Sequence, residues 1–289
     1  MLRTRILTAL VLTAFVIALT LSRHPAVVLI AALLLAGVGG AEYMGLRRLS
    51  LYPLSTGEGE RPHPKLTVHD WLAGGAYLVV PALAFGYGFE SQFGALCLVV
   101  AWVSVAALLF GALYVKNVDS LEKATSLLVS FVAGFLYIAL PSVGLWALAV
   151  HTINEPVPCS ALWFVIAVVF MGDTGAYFVG RSLGRHKLIP SISPKKTVEG
   201  SIGGLLSSAI TALLLAQWFS FTLSPFVVVG AGLVMGVAGQ VGDLVESALK
   251  RSAYCKDSSR WFPGHGGMLD RVDSLLFSVP ISISLFLIG

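Results

Sequence analysis

Nine stretches of this chain are long and apolar enough to cross a lipid bilayer as helices. A spanning helix needs about 20 largely apolar residues. Such runs occur at 6–22, 25–46, 70–88, 93–115, 125–149, 160–180, 202–221, 225–244 and 273–288. In hydrocarbon each backbone N–H and C=O has to be satisfied within its own segment, so these runs fold as helices. The expected fold class is all-α, a polytopic integral membrane protein of about nine transmembrane helices. Charged residues make up 12% of the chain and hydrophobic ones 56%, which leaves too few polar groups to clothe a water-soluble globule of this length. The same balance excludes a disordered chain. Arg3 and Arg5 ahead of the first run give it the outline of a signal peptide, but the runs that follow favour an uncleaved first span.

The placement of charge tests the span count. With nine spans, one side of the membrane receives the N-terminus and the loops near 47–69, 116–124, 181–201 and 245–272. These segments hold 18 of the 19 Lys and Arg residues, and Arg23 alone falls on the other side. Positive loops stay cytoplasmic, so the N-terminus is expected in the cytoplasm and the C-terminus outside. The chain then divides into an N-terminal bundle over 1–150, about five spans, and a C-terminal region over 151–289, about four spans with cytoplasmic loops 181–201 and 245–272. Polar and ionisable groups crowd into the second region, so chemistry is expected there. Cys97, Cys159 and Cys255 form no CxxC pair, which argues against a disulfide framework or a zinc cluster. No basic helix or aromatic-interleaved basic stripe supports nucleic-acid binding. The glycine-rich eighth run (Gly230, Gly232, Gly236, Gly239, Gly242) suits a closely packed helix.

Three constellations could carry chemistry. On a helix Asp243, Glu246, Ser247 and Lys250 share one face at i, i+3, i+4 and i+7. That face is either a solvated salt-bridge stripe or a cation site at the membrane boundary. Next comes Pro263-Gly264-His265-Gly266-Gly267-Met268-Leu269-Asp270-Arg271-Val272-Asp273, glycines leading into a helix start with two carboxylates. It is either a structural turn with a capping Asp or a site for a metal–polyphosphate complex, with carboxylates for Mg²⁺ and amides and cations for phosphate oxygens. The third is Gly172-Asp173-Thr174-Gly175 with the basic stretch through Ser193-Pro194-Lys195-Lys196-Thr197. Positive-inside topology accounts for the basic groups but not for Asp173 inside an apolar span. No GxxxxGK[ST] string supports a Walker-type site. Glu42, inside the second span, would pair with a basic group or face a cavity.

Ser247, Lys250, Arg251, Lys256, Asp257, Pro263, His265, Gly266, Gly267, Asp270, Arg271 and Asp273 together match a signature in type and spacing. On these residues the sequence resembles the phosphatidate cytidylyltransferases, also called CDP-diacylglycerol synthases. The stretches around Asp173 and Lys196 are similar to family sequence too, with Lys195 standing where a glycine is expected, and Ala41-Glu42-Tyr43 is a short upstream echo. The resemblance is specific over about 170–280. It implies transfer of CMP from CTP to phosphatidate, giving CDP-diacylglycerol and pyrophosphate with Mg²⁺, sometimes paired with a monovalent cation such as K⁺. By resemblance, Asp243, Lys250, Asp270 and Lys196 are the catalytic candidates, and Asp243, Asp270 and Ser247 the metal ligands. Lys196, Lys250, Arg251 and Arg271 are candidates for the substrate phosphates. Gly264, His265, Gly266 and Gly267 would cradle the triphosphate, with Asp173, Glu246 and Asp273 supporting. The family also implies a bacterial inner-membrane enzyme with its site facing the cytoplasm, and is compatible with a homodimer.

Two rivals explain part of the pattern. A CTP-dependent lipid kinase would use a similar membrane site but attack the γ-phosphorus. A polytopic cation-coupled transporter would account for the spans, Asp173 and Asp243, but not for glycine, carboxylate and Lys/Arg clusters gathered on one face.

Overall fold

The computed structural model describes residues 2–52, 59, 61, 63–87 and 119–288. Its helices are α1 (Leu2–Leu21), α2 (Pro25–Ser50), α3 (Val68–Tyr77), α4 (Val79–Tyr87), α5 (Leu121–His151), α6 (Ser160–Leu183), α7 (Val198–Trp218), α8 (Pro225–Ser252) and α9 (Leu269–Ile283). Five of these, α2, α5, α6, α7 and α8, are long and apolar enough to cross a membrane. The run expected to span at 93–115 lies outside the described residues. Leu136, Phe170, Phe178, Leu206, Leu214 and Phe226 are exposed along these helices, as lipid contact requires and water does not tolerate in bulk. The protein is a helical integral membrane protein.

The all-α expectation needs one correction. Within the segment read as a loop, β1 (Lys187–Ile189) and β2 (Ser193–Thr197) pair antiparallel, with Lys187 opposite Thr197 and Ile189 opposite Ser193. Pro190 and Pro194 bar a helix there, and the short strands recover backbone hydrogen bonds that a basic loop would otherwise leave to water. The hairpin runs directly into α7, where Thr197 caps the helix by accepting from the Gly200 amide at 3.1 Å. Glu199 pins the hairpin's base, accepting from the Arg185 and His186 amides and meeting His186 Nδ1 at 2.6 Å.

The chain packs as two compact, discontinuous units. The first comprises Met1–Val16, Ala26–Val143 and Leu249–Arg271, the second Ile17–Pro25, Gly144–Ala248 and Val272–Gly289. In the first unit the rings of Tyr77, Phe131 and Phe135 are buried together, Tyr77 and Phe135 with centroids 4.7 Å apart, and the Tyr77 hydroxyl donates to the Phe131 carbonyl at 2.8 Å. Thr67 and Asp70 form a capping box at the start of α3. Buried Asp70 also receives Arg48 at 2.9 Å, tying the end of α2 to α3. A π-helical turn over Leu35–Gly39 interrupts α2 and re-phases the residues after it by roughly 100°; Glu42 is among them.

In the second unit Phe164, Val165, Val168, Met235 and Val279 form the heart of the core. Small residues let its helices close on one another. A side chain at Gly172 would strike Ser208, one at Gly175 would strike Ser207, and one at Gly203 would meet Val179 at 2.5 Å, so α6 and α7 approach backbone to backbone. The expected packing role of the α8 glycines holds for Gly232, Gly236, Gly239 and Gly242, which are buried, while Gly230 faces open space.

The contact of α2 with α3 supplies a test. A Cβ at Gly74 would run into the Gly37 carbonyl and lie 3.0 Å from the Ala41 nitrogen, both backbone, whereas one at Gly75 meets nothing within 4 Å. Gly74→Ala should lower the melting midpoint in detergent, at an overpacking cost of about 1–3 kcal/mol, and Gly75→Ala should not. Equal midpoints for the two variants would refute that close approach.

Candidate functional site

Helix α8 continues past the apolar run to Ser252, so Asp243, Glu246, Ser247 and Lys250 are indeed helical. The stripe is not a solvated face: Glu246 is fully buried, and the side chains of Asp243 and Lys250 are 31% and 17% exposed.

In the second unit the polar residues gather around Asp243. Lys196, on β2, places its Nζ 2.7 Å from Asp243 Oδ2, and Ser247 Oγ donates to Asp243 Oδ1 at 3.2 Å. Asp173, exposed on α6, is close enough to feel the charges of both Asp243 and Lys196, with the Ser274 hydroxyl beside it. Gln240, one turn before Asp243, is paired with the Ser201 hydroxyl and donates to the Ser201 carbonyl at 2.9 Å, locking α8 to α7. Gly242 brings α8 against the Asp273 carbonyl of α9, with no room for a Cβ. The Asp273 carboxylate accepts from the Ser274 amide at 2.8 Å.

In the first unit the polar residues gather around Asp270. Its Oδ1 is 2.6 Å from Lys250 Nζ, and its Oδ2 accepts from the Ser258 amide at 2.9 Å, the Ser258 hydroxyl at 2.7 Å and the Gly267 amide at 2.8 Å. The loop leading to it turns on Gly264 and Gly266, whose φ values of 78° and 81° lie in the left-handed region. Phe262 and Gly266 close this turn as an antiparallel bridge, with the Phe262 amide donating to the Gly266 carbonyl at 2.9 Å. His265 sits at the tip, and its Nδ1 is buried with no partner among the described residues. Gly267 needs to be glycine for another reason: a Cβ there would collide with Ser258 Oγ and lie 2.5 Å from Glu42 Oε1. Arg251 and Arg271 are exposed.

Glu42, which sequence reasoning placed against a cation or a cavity, has a different environment. It is fully buried. Its Oε1 accepts from the Ser259 hydroxyl at 2.5 Å and the Met268 amide at 3.0 Å, its Oε2 from the Ser258 hydroxyl at 3.1 Å and the Leu269 amide at 2.8 Å. Hydrogen bonds to a charged acceptor contribute about 1.5–3 kcal/mol each, and together they offset part of the cost of burying a carboxylate. Ser258, Ser259 and Glu42 were absent from the expected site. The one sequence signal for them was an acidic residue at an expensive place in an apolar run.

Among the described residues no three His, Cys, Asp or Glu side chains group as a metal cluster. Each of the two clusters offers instead a carboxylate faced by a lysine ammonium, with a serine hydroxyl alongside. Such hard oxygen donors fit Mg²⁺, which commonly takes one or two carboxylates and completes its shell with water and substrate phosphate. The lysines supply the matching positive charge for phosphate oxygens.

The fold and these ionic clusters define an integral membrane protein whose polar side chains are organised around lysine–carboxylate pairs. A sequence model of the cytidylyltransferase family matches residues 3–288, and the chain belongs to that family. Relatives named phosphatidate cytidylyltransferase are 47% identical over 118 residues in Staphylococcus aureus, 48% in Staphylococcus saprophyticus and 45% in Staphylococcus epidermidis. Each alignment covers 41% of this chain and 45% of the relative, so the chain spans less than half the length of the curated relatives it matches.

Gly267→Ala should displace Ser258 or Glu42 and lower the melting midpoint in detergent by the equivalent of about 1–3 kcal/mol. An unchanged midpoint would mean that the loop and α2 do not touch as described.

Proposed function

We propose that the protein transfers CMP from CTP to phosphatidate, giving CDP-diacylglycerol and pyrophosphate, at the cytoplasmic face of a bacterial inner membrane. The observation that carries this reading is the Lys250–Asp270 pair at 2.6 Å, which ties the helical part of the signature to the carboxylate that follows its glycine turn. The name of the staphylococcal relatives supports the choice of substrate.

In this reading a phosphatidate oxygen forms the new bond to the α-phosphorus of CTP. The bond from that phosphorus to the bridging β-oxygen breaks, and pyrophosphate leaves with the electron pair. The lipid phosphate is already anionic at neutral pH, so the chain needs no strong general base and no covalent intermediate. It has to bring two polyanions together and balance charge on the leaving group. Lys196 and Lys250, each poised beside a carboxylate, bind phosphate oxygens, and Arg251 and Arg271 add positive charge in the first unit. Gly264, His265, Gly266 and Gly267 shape the turn that receives the triphosphate, and Asp173, Glu246 and Asp273 support their neighbours. Asp243, with Ser247 beside it, and Asp270 would hold Mg²⁺, with K⁺ or a similar cation as a second occupant. When bound, the cation would neutralise charge on the phosphates. A homodimer fits the family.

The test is purified protein in detergent with phosphatidate, Mg²⁺ and CTP labelled at the α- or γ-phosphorus. Label from the α position should enter the lipid while γ-label leaves as pyrophosphate. Transfer of γ-label to an added lipid alcohol would make the protein a kinase, and transfer of neither would return a transporter to consideration. Asp270→Asn should abolish product while the protein remains folded and membrane-inserted; near-normal activity would remove Asp270 from the metal site. Lys250→Ala should cut turnover, since it removes the ammonium from a carboxylate only 5% exposed. An unchanged rate would make Lys250 a bystander.

A further inference from the structure

Glu42 lies outside the signature, on a helix from the N-terminal half, yet four groups of the signature loop donate to it. Its two oxygens divide their work evenly, each accepting one backbone amide and one serine hydroxyl. The two amides belong to Met268, just before α9, and Leu269, its first residue. Helix N-termini leave such donors unsatisfied, and a side chain just before the helix ordinarily caps them. Here the local carboxylate, Asp270, takes the Gly267 and Ser258 amides instead. The cap for the next two amides is supplied from α2, more than 220 residues away in sequence. Ser258 joins the two acids: its hydroxyl is 3.1 Å from Glu42 Oε2 and 2.7 Å from Asp270 Oδ2. With one hydroxyl proton it can donate to only one of them at a time, so the position of each carboxylate bears on the other.

We propose that Glu42 is a positioning residue of the active site, a buried clamp that fixes the start of α9 and, through Ser258, the orientation of Asp270. The proposal rests on the reaction put forward above for its catalytic consequence, but not for its structural one. Glutamine in place of Glu42 keeps size and shape but not the clamp. Whichever way its amide turns, the NH₂ group faces a backbone N–H that cannot accept, so the Met268 or the Leu269 amide loses its partner.

The test combines hydrogen exchange on the substrate-free protein with steady-state kinetics. In Glu42→Gln the peptide covering 264–272 should exchange faster while the rest of the chain exchanges as before. The kcat for CMP transfer should fall about 10–100-fold, the range for residues that orient a ligating group, with KM for CTP within about twofold of wild type. Ser258→Ala keeps Glu42 and its amide bonds, so it should fold in any case. It should lower kcat in the same direction, with a melting midpoint lowered only modestly. Unchanged exchange at 264–272 in Glu42→Gln would overturn the clamp. So would faster exchange with wild-type kcat, or a Ser258→Ala enzyme as fast as wild type. If the wild-type protein transfers no CMP, the reaction assignment fails by itself, and faster local exchange in Glu42→Gln would still uphold the clamp.

Discussion

A carboxylate buried in an apolar helix has to find its donors inside the protein, because the surrounding lipid offers none. Glu42 finds four, all in the segment from Ser258 to Leu269, and the rest of the loop is arranged to permit this. Gly267 lacks the side chain that would block the approach. Gly264 and Gly266 take the left-handed turn that brings the loop back on itself. Asp270 satisfies the amides that Glu42 does not reach. The same rule governs Asp243 and Asp270, each neutralised by a lysine from another element or a distant turn. Each of these three carboxylates stands where a partner offsets the cost of removing it from water.

Close packing of small residues is the second condition. Polar side chains can meet across helices only when the helices come near, and glycine and serine make that approach between α6, α7 and α8. Ser208 illustrates both roles, since it fills the space against Gly172 and Gly236 and donates to the Val168 carbonyl at 3.1 Å. The Gln240–Ser201 lock forms in the same interface, one turn before Asp243. The lysine–carboxylate pair at the end of α8 is therefore held by the packing of the spans and not by the flexible reach of Lys196 alone.

Five of the nine expected spans recur among the described residues as helices long and apolar enough to cross a membrane, because hydropathy is a local property and the bilayer sets its length scale. The glycine face of α8 was legible for a similar reason, as was the helical stripe from Asp243 to Lys250. What could not be read was which partner each charge takes. The helical spacing placed Lys250 on one face with Asp243 and Glu246 but carried no sign of Asp270, which its ammonium meets at 2.6 Å. The hairpin of β1 and β2 was hidden because two prolines and a run of basic residues look like any cytoplasmic loop. Glu42 stood out as an anomaly, but its donors are backbone amides and serines, which carry no sequence mark of their own and lie at the far end of the chain.

That separation has a consequence for biosynthesis. Met268 and Leu269 follow Glu42 by 226 and 227 residues, so at a synthesis rate of 5–20 residues per second the acid waits roughly 10–45 s for the amides it will hold. During that interval α2 carries an acidic side chain whose donors have not yet been made. The nascent helix must keep it hydrated at the membrane surface or carry it as the neutral acid. Completion of the signature loop thus supplies the donors that the acid lacks until then. A ribosome that stops short of Leu269 leaves behind a membrane protein with an uncompensated acid, and so with a chemical mark of being unfinished.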